Sequence, residues 1–154
     1  MKNVVITPDK ALQSARSYCA FQERCHSEMK DKLYSWNLHK KDVDEIIAQL
    51  ISEGFLNEER FAIAYAGGKF RIKKWGKEKI RQALKSKFVS DYSINKALNL
   101  LEEKDVKETI KEIIAKKSPK IKEPDGWKKK HKIAQYLLSR GFEKDMIWGI
   151  LGEE

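Results

Sequence analysis

The stretch Ile80-Arg81-Gln82-Ala83-Leu84-Lys85-Ser86-Lys87-Phe88-Val89-Ser90-Asp91-Tyr92-Ser93-Ile94-Asn95-Lys96-Ala97-Leu98 decides the fold. Its apolar rungs are Ile80, Leu84, Val89, Ile94, Ala97 and Leu98, spaced by four, five, five, three and one. The same spacing recurs upstream as Met29, Leu33, Leu38, Val43, Ile46 and Ile47, and downstream as Ile133, Leu137, Phe142, Ile147, Ile150 and Leu151. The ladders are displaced by 51 residues (84 − 33) and then by 53 (137 − 84). Matched spacing at this period means one supersecondary unit used three times. A repeat array offers an extended binding surface more readily than a catalytic cleft.

Outward from the ladders, the pattern is helical throughout, with no sustained period-two alternation to announce a sheet. Thr7-Pro8 opens a first helix whose core face is Leu12, Ala15, Tyr18 and Cys19. A second opens at Ser27, and a third carries Val43, Ile46, Ile47 and Leu50 before stopping at Gly54-Phe55. Asn57, followed by Glu58 and Glu59, starts a helix striped with Phe61, Ala62, Tyr65 and Ala66. Phe70 keeps the period beyond Gly67-Gly68, so that pair bends the helix without ending it. Trp75-Gly76 makes a turn, Lys77–Lys87 is the next helix, and Ser90-Asp91 opens another through Leu101. The last part holds a helix from Asp105 bearing Val106, Ile110, Ile113 and Ile114. A mobile loop follows over 116–125. Then come a helix over Trp127–Arg140, an Arg140-Gly141-Phe142 stop and a final helix over Asp145–Leu151. The expectation is an all-α protein. Its three tandem three-helix repeats are helix-turn-helix-like units at 1–55, 56–103 and 104–154, in an elongated, curved array.

The 154-residue chain is 41% hydrophobic and 36% charged, with a formal net charge of +9. Basic balance of this kind favours polyanionic partners, nucleic acid first and anionic lipid second. No apolar run approaches the roughly 18 residues of a membrane span, and Met1 to Lys10 lacks the apolar core of a signal peptide. A cytoplasmic protein with Cys19 and Cys25 reduced is expected. Cys25-His26 is a poor metal site, because a closed zinc site needs four ligands and His39 and His131 lie in other segments. No metal and no cofactor are expected.

The positive charge is concentrated. Between Lys69 and Lys87 there are nine basic residues against Glu78, a net of +8 (9 − 1). Between Lys116 and Lys132 eight lysines face Glu123 and Asp125, a net of +6 (8 − 2). The rest of the chain is therefore −5 (9 − 14). Lys77, Arg81 and Lys85 are four apart and stack along one helical stripe beside Ile80 and Leu84, with Lys74 able to extend the line. Lys128 and Lys132 point away from Ile133 and Leu137. A helix normally balances its solvated face with acids; nineteen residues with one acid do not. The candidate interface is Lys69, Arg71, Lys73, Lys74, Lys77, Arg81, Lys85, Lys128, Lys129 and Lys132. Trp75, Trp127 and Tyr92 lie near these clusters, where aromatics either stack on exposed bases or, more commonly, pack turns.

Several motifs resemble a known family. Leu56-Asn57-Glu58-Glu59-Arg60-Phe61-Ala62 resembles the acidic pair followed by Arg-Phe-Ala of the RecX regulators. Trp75-Gly76 through Ile80 and Leu84 is similar to their Gly-x-x-x-Ile-x-x-x-Leu segment, and Leu138-Ser139-Arg140-Gly141-Phe142 to their closing Leu-x-Arg-Gly-Phe. The region from Glu23 to Leu33 resembles their opening Arg-x-x-Ser-x-x-Glu-Leu, with Met29-Lys30 in place of the usual acid and Leu. Asn57 replaces the first acid of the pair but keeps an N-cap. Phe88 stands where the family often has Gly, which suggests a different inter-helix turn in the second repeat. The resemblance spans about residues 9 to 151. It implies a modulator, an inhibitor, of the RecA recombinase that lies along the RecA–DNA filament and binds single- or double-stranded DNA. Arg60 is expected to pair with acids at a junction between repeats.

The alternative is a stand-alone DNA-binding protein of helix-turn-helix type. An enzyme is the least favoured reading. Glu58, Glu59 and Asp105 could bind magnesium, but acids are ordinary in helix first turns, and no phosphate loop or nucleophile–base pair stands out. The expected protein is a monomeric, non-enzymatic binder with no membrane association.

Overall fold

The computed structural model of the chain describes residues 6–124 and 126–152. The start of the expected leader-free N-terminus (1–5) and Asp125 of the expected loop lie outside them. The described residues form nine α-helices and no strand: α1 Pro8–Phe21, α2 His26–Ser35, α3 Lys40–Ser52, α4 Glu58–Arg71, α5 Lys77–Ser86, α6 Asp91–Asn99, α7 Glu103–Lys117, α8 Trp127–Ser139 and α9 Lys144–Leu151. A 3₁₀ turn, Ser118–Lys120, occupies part of the expected loop.

The helix starts follow local chemistry. Thr7 caps α1 by accepting from the Lys10 N–H at 3.3 Å, and Pro8 sits where its missing N–H costs nothing. The Asn57 side chain accepts from the Arg60 N–H at 2.9 Å, capping α4. The α2 start differs from the sequence reading. Helix α2 begins at His26, one residue early, with Cys25 as N-cap and the Glu28 carboxylate reaching back to the Cys25 N–H at 3.1 Å. This is a capping box with a thiol in place of a hydroxyl. In α1 the buried face is Ala11, Ala15 and Cys19, while Leu12 and Tyr18 are only partly buried at its margin. In α7 Thr109 takes a core place beside Ile110, and Ile113 stays half-exposed.

All eighteen ladder residues (three sets of six) are buried. Full burial of a Leu or Ile side chain is worth about 1.5–3 kcal/mol relative to exposure. Repeated six times per set, this is the dominant driving force. The turn that lets each ladder change helix is the same three times. The residue before the third rung takes a left-handed backbone: Asn37 at φ 63°, Phe88 at φ 62° and Gly141 at φ 95°. After α5, the Val89 N–H donates to the Leu84 carbonyl and the Phe88 N–H to the Lys85 carbonyl. After α8, the Phe142 and Gly141 N–H groups do the same to Leu137 and Leu138. Both are Schellman closures. The different turn expected at Phe88 is therefore corrected: the backbone is the same left-handed turn that Gly141 makes, adopted by a phenylalanine at a steric cost.

The chain divides into two compact units, residues 1–64 with 84–94, and 65–83 with 95–154. The middle repeat contributes to both. In the first unit, Met29, Leu33, Val43 and Leu50 centre a core closed by Ala11, Ala15, Cys19 and Leu56. In this unit, too, the Ser27 hydroxyl at the start of α2 donates to the Lys87 carbonyl at 2.7 Å, and the Lys87 ammonium meets Glu28 at 3.1 Å. In the second unit, the Gly76 N–H donates to the Arg140 carbonyl at 2.8 Å and the Glu78 N–H to the Gly141 carbonyl at 3.0 Å. The orphan amides at the start of α5 thus meet the orphan carbonyls at the end of α8. The backbones are in contact. A Cβ on Gly76 would fall 2.3 Å from the Gly141 carbonyl carbon, and one on Gly141 would fall 2.4 Å from the Lys79 Cβ.

Gly76→Ala and Gly141→Ala are each expected to destabilise the fold by on the order of 3 kcal/mol, by driving apart a hydrogen-bonded joint. Phe88→Gly is expected to stabilise it by about 1 kcal/mol, since the ring is 82% exposed and its backbone is strained. Urea unfolding of the three variants checks both signs.

Candidate nucleic-acid interface

Helix α5 buries Ile80 and Leu84 completely and turns Lys77, Arg81 and Lys85 along the adjoining face. Arg81 is held in place: its Nη1 donates to Asn95 Oδ1 at 2.7 Å, and its Nε lies 3.6 Å from Glu78. Lys85 has Asp91 at 4.0 Å, with both side chains more than half exposed. Exposed pairs of this kind are worth at most about 1 kcal/mol and are easily exchanged for a stronger anion. Lys77 is half-buried and borders a hollow with Glu103 and Glu143.

The end of α4 arranges its cations differently. The Lys69 ammonium sits 5.0 Å from the Trp75 ring centroid and 5.4 Å from that of Tyr65, and the Lys79 ammonium lies 4.7 Å from Trp75. Trp75 thus packs the turn beneath two lysines. Arg71 is exposed, with its guanidinium beside Gly67. Lys73 is exposed, and its carbonyl accepts from the Arg140 guanidinium. Lys74 does not extend the α5 line. It ends the α4 turn at φ 57°, and its ammonium lies 3.9 Å from Glu112 of α7.

On α8, Lys128 and Lys132 are exposed and Lys129 is half-buried. Lys132 pairs with Glu123 at 3.0 Å. Every predicted interface residue but Lys85 falls in the second unit. That unit also contains cations the sequence reading counted as charge without placing. Lys116, Lys117, Lys120 and Arg140 join Lys74, Glu112, Ile113 and Tyr136 around a cleft of about 280 Å³. The signal was present in the Lys116–Lys120 run; its convergence with Lys74 and Arg140 is tertiary.

Arg60 is structural. Its Nε donates to Glu23 at 2.6 Å, and its Nη2 donates to the carbonyls of Gly54 at 2.9 Å and Phe55 at 3.3 Å, tying the turn after α3 to the α1–α2 link. Both cysteines are buried, and burial pushes both thiols up from their ordinary range. Glu58, Glu59 and Asp105 occupy helix first turns, and Glu58 lies 3.9 Å from His26. Among the described residues no three His, Cys, Asp or Glu side chains are grouped to hold a metal ion. Trp127 is exposed and lies against His131, 3.9 Å between centroids, and Tyr92 is exposed. Among the described residues no helix is long and apolar enough to cross a membrane.

Comparison with known proteins decides the family. Residues 57–98 match the family model described as RecX, second three-helix domain, and residues 103–151 match RecX, third three-helix domain. The regulatory protein RecX of Haemophilus influenzae strain PittEE is 30% identical over 92% of this chain and 89% of its own length. The chain belongs to the RecX family. The Bacillus mycoides regulatory protein RecX is 26% identical over 90% of the chain, which spans only about half (51%) of that relative. The crystal structure of RecX from Lactobacillus salivarius superposes with a TM-score of 0.81 at 28% identity, covering 95% of both chains. A second RecX crystal structure, at 21% identity, shares the fold with a TM-score of 0.86 over 96% of this chain and 72% of that one. RecX proteins are thus a family of regulators built from three-helix domains.

Burial by itself would raise the Glu28 carboxyl, but the hydrogen bonds from the Cys25 N–H and the Lys87 ammonium outweigh it and hold the group below the ordinary carboxylate range. A depressed carboxyl stabilises the fold above its unfolded-state pKa and loses that contribution as pH falls through the folded value. Unfolding below about pH 4.5 is therefore expected to be less steep with pH in Glu28→Gln than in the unaltered chain. Chemical denaturation across pH 3–7 measures the difference.

Proposed function

We propose that this chain binds the RecA–DNA filament and inhibits RecA's activity in DNA repair and recombination. It acts as a monomeric, non-enzymatic cytoplasmic regulator. The observation that carries the reading is the concentration of cations from the end of α4 through α5, nine basic residues against Glu78 between Lys69 and Lys87, in a member of a family of regulators. A filament offers a repeating polyanion, DNA phosphates together with acidic protein surface. Cations on rigid helices engage it with little loss of side-chain order. Lys77, Arg81 and Lys85 are the central contacts, with Lys69, Arg71 and Lys73 beside them and Lys128, Lys129 and Lys132 on α8.

The test is RecA's ATPase on single-stranded DNA with the chain titrated in below RecA's concentration. Inhibition at substoichiometric ratios is expected. No effect at excess, with the cognate RecA, would remove the filament reading and leave stand-alone DNA binding. Replacing Lys77, Arg81 and Lys85 together by Glu is expected to weaken filament binding at least tenfold with helix content unchanged by circular dichroism. Binding should also fall steeply with salt, because neutralised phosphates release counterions.

A further inference from the structure

The cleft between the ends of α4, α7 and α8 has no role in the α5 surface just described. Among the described residues five cations border it, Lys74, Lys116, Lys117, Lys120 and Arg140, against the single carboxylate of Glu112. Lysines at a helix C-terminus ordinarily complement the helix dipole, and three helix ends meet here. The magnitudes separate that reading from a binding site. Five cations and one acid sum to +4 (5 − 1), and three helix ends contribute about −0.5 each. About +2.5 is left over, far more than the dipoles require. Among the described residues, moreover, Lys116 and Lys120 have no salt bridge, and Lys74 reaches Glu112 only at 3.9 Å.

The cleft is also built. Arg140 spends its guanidinium on the Lys73 carbonyl. That bond lies next to the left-handed turn at Lys74 (φ 57°), which the Lys74 N–H to Phe70 and Trp75 N–H to Lys69 bonds close and which brings the Lys74 ammonium to the α7 side. A bulky residue held at positive φ is costly and persists where its surroundings enforce it. Tyr136 and Ile113 supply an apolar wall, with the Lys117 ammonium 4.2 Å over the Tyr136 ring.

The charge continues out of the cleft along one element. Lys128, Lys132 and Tyr136 are four apart on α8 and Arg140 caps its end, so the row leads toward the cleft, with Lys132 in an exchangeable surface pair with Glu123 at 3.0 Å. A small phosphorylated metabolite needs no such approach, whereas a chain of phosphates at regular spacing does. We infer that this cleft is a second polyanion site, seating backbone phosphates of a single nucleic-acid strand that runs in along α8. The inference deepens the nucleic-acid part of the function proposed above and adds a contact surface separate from α5.

The experiment measures fluorescence anisotropy of a labelled oligo-dT strand without RecA, for the full chain and three double variants. Lys116→Glu with Lys120→Glu reverses the cleft. Lys116→Arg with Lys120→Arg preserves its charge. Lys104→Glu with Lys111→Glu makes the same change of net charge on exposed α7 residues outside it. The cleft reversal is expected to weaken binding at least tenfold and to lower the salt slope by about 1.4, for two lost single-strand phosphate contacts. The Arg pair is expected to bind like the unaltered chain and the outside pair to lose no more than about threefold, short of a full unit of free-energy change. Equal losses in the two reversed variants, or none in either, would overturn the inference. RecA's ATPase, run on the same proteins, keeps the two readings apart. Strand binding that depends on the cleft in a chain without effect on RecA supports the cleft while removing the filament reading.

Discussion

Two backbone amides donating to two backbone carbonyls, Gly76 to Arg140 and Glu78 to Gly141, are the constraint on which the second unit depends. The two amides and the Arg140 carbonyl are orphans of their own helices, and the Gly141 carbonyl follows directly after the end of α8. Paired, they join the end of α8 to the start of α5, so the negative end of one helix dipole meets the positive end of another. The approach is so close that neither glycine tolerates a Cβ. The Trp75-Gly76 and Arg140-Gly141-Phe142 motifs are therefore two halves of one joint. The first unit contains its counterpart. Ser27 and Lys87 stand 51 and 53 residues before Glu78 and Arg140 (78 − 27; 140 − 87), and the Ser27 hydroxyl donates to the Lys87 carbonyl. The displacement of the ladders and the displacement of the joints are the same numbers. A repeat built on this period reuses its connection along with its core.

The joint also positions the charge. Fixing the start of α5 fixes the register of Lys77, Arg81 and Lys85 on its face. Arg140 accepts the Gly76 N–H with its carbonyl and holds the Lys73 carbonyl with its guanidinium. One residue therefore ties the α4–α5 turn to the end of α8 at two points. The basic side chains sit on helices whose ends are tied down by backbone bonds, so their spacing is preorganised.

The ladder was legible because period and burial are one signal: a residue that recurs at the same place in three repeats faces the core in all three. The N-caps at Thr7 and Asn57 were legible because capping is local. Phe88 was misread for an instructive reason. Residue type suggested that phenylalanine would refuse a left-handed turn, but the Leu84 and Lys85 carbonyls, together with Val89 drawn into the core, impose that turn regardless. Cys25 was overlooked as a cap because thiols rarely serve as one, and Glu28 supplies the better half of the box. Among the candidate interface residues, the placement of Lys77, Arg81 and Lys85 along one face of α5 followed from helical spacing alone. Lys74 was placed on the wrong line, because no periodicity within α5 reveals that a turn residue will face α7. The cleft brings Lys74 together with Glu112, 38 residues further along the chain (112 − 74), and with Arg140, 66 further along (140 − 74), and no local pattern links them.

The most direct test of this account is amide hydrogen exchange at Gly76 and Glu78, followed residue by residue by NMR. First-turn amides of a helix normally exchange fast, since nothing inside the helix accepts from them. If they are bonded to the end of α8, both should exchange nearly as slowly as the core amides of α5, and Gly141→Ala should release them. Exchange at the rate of free helix-start amides in the unaltered chain would contradict the joint and the registration of the basic face that rests on it.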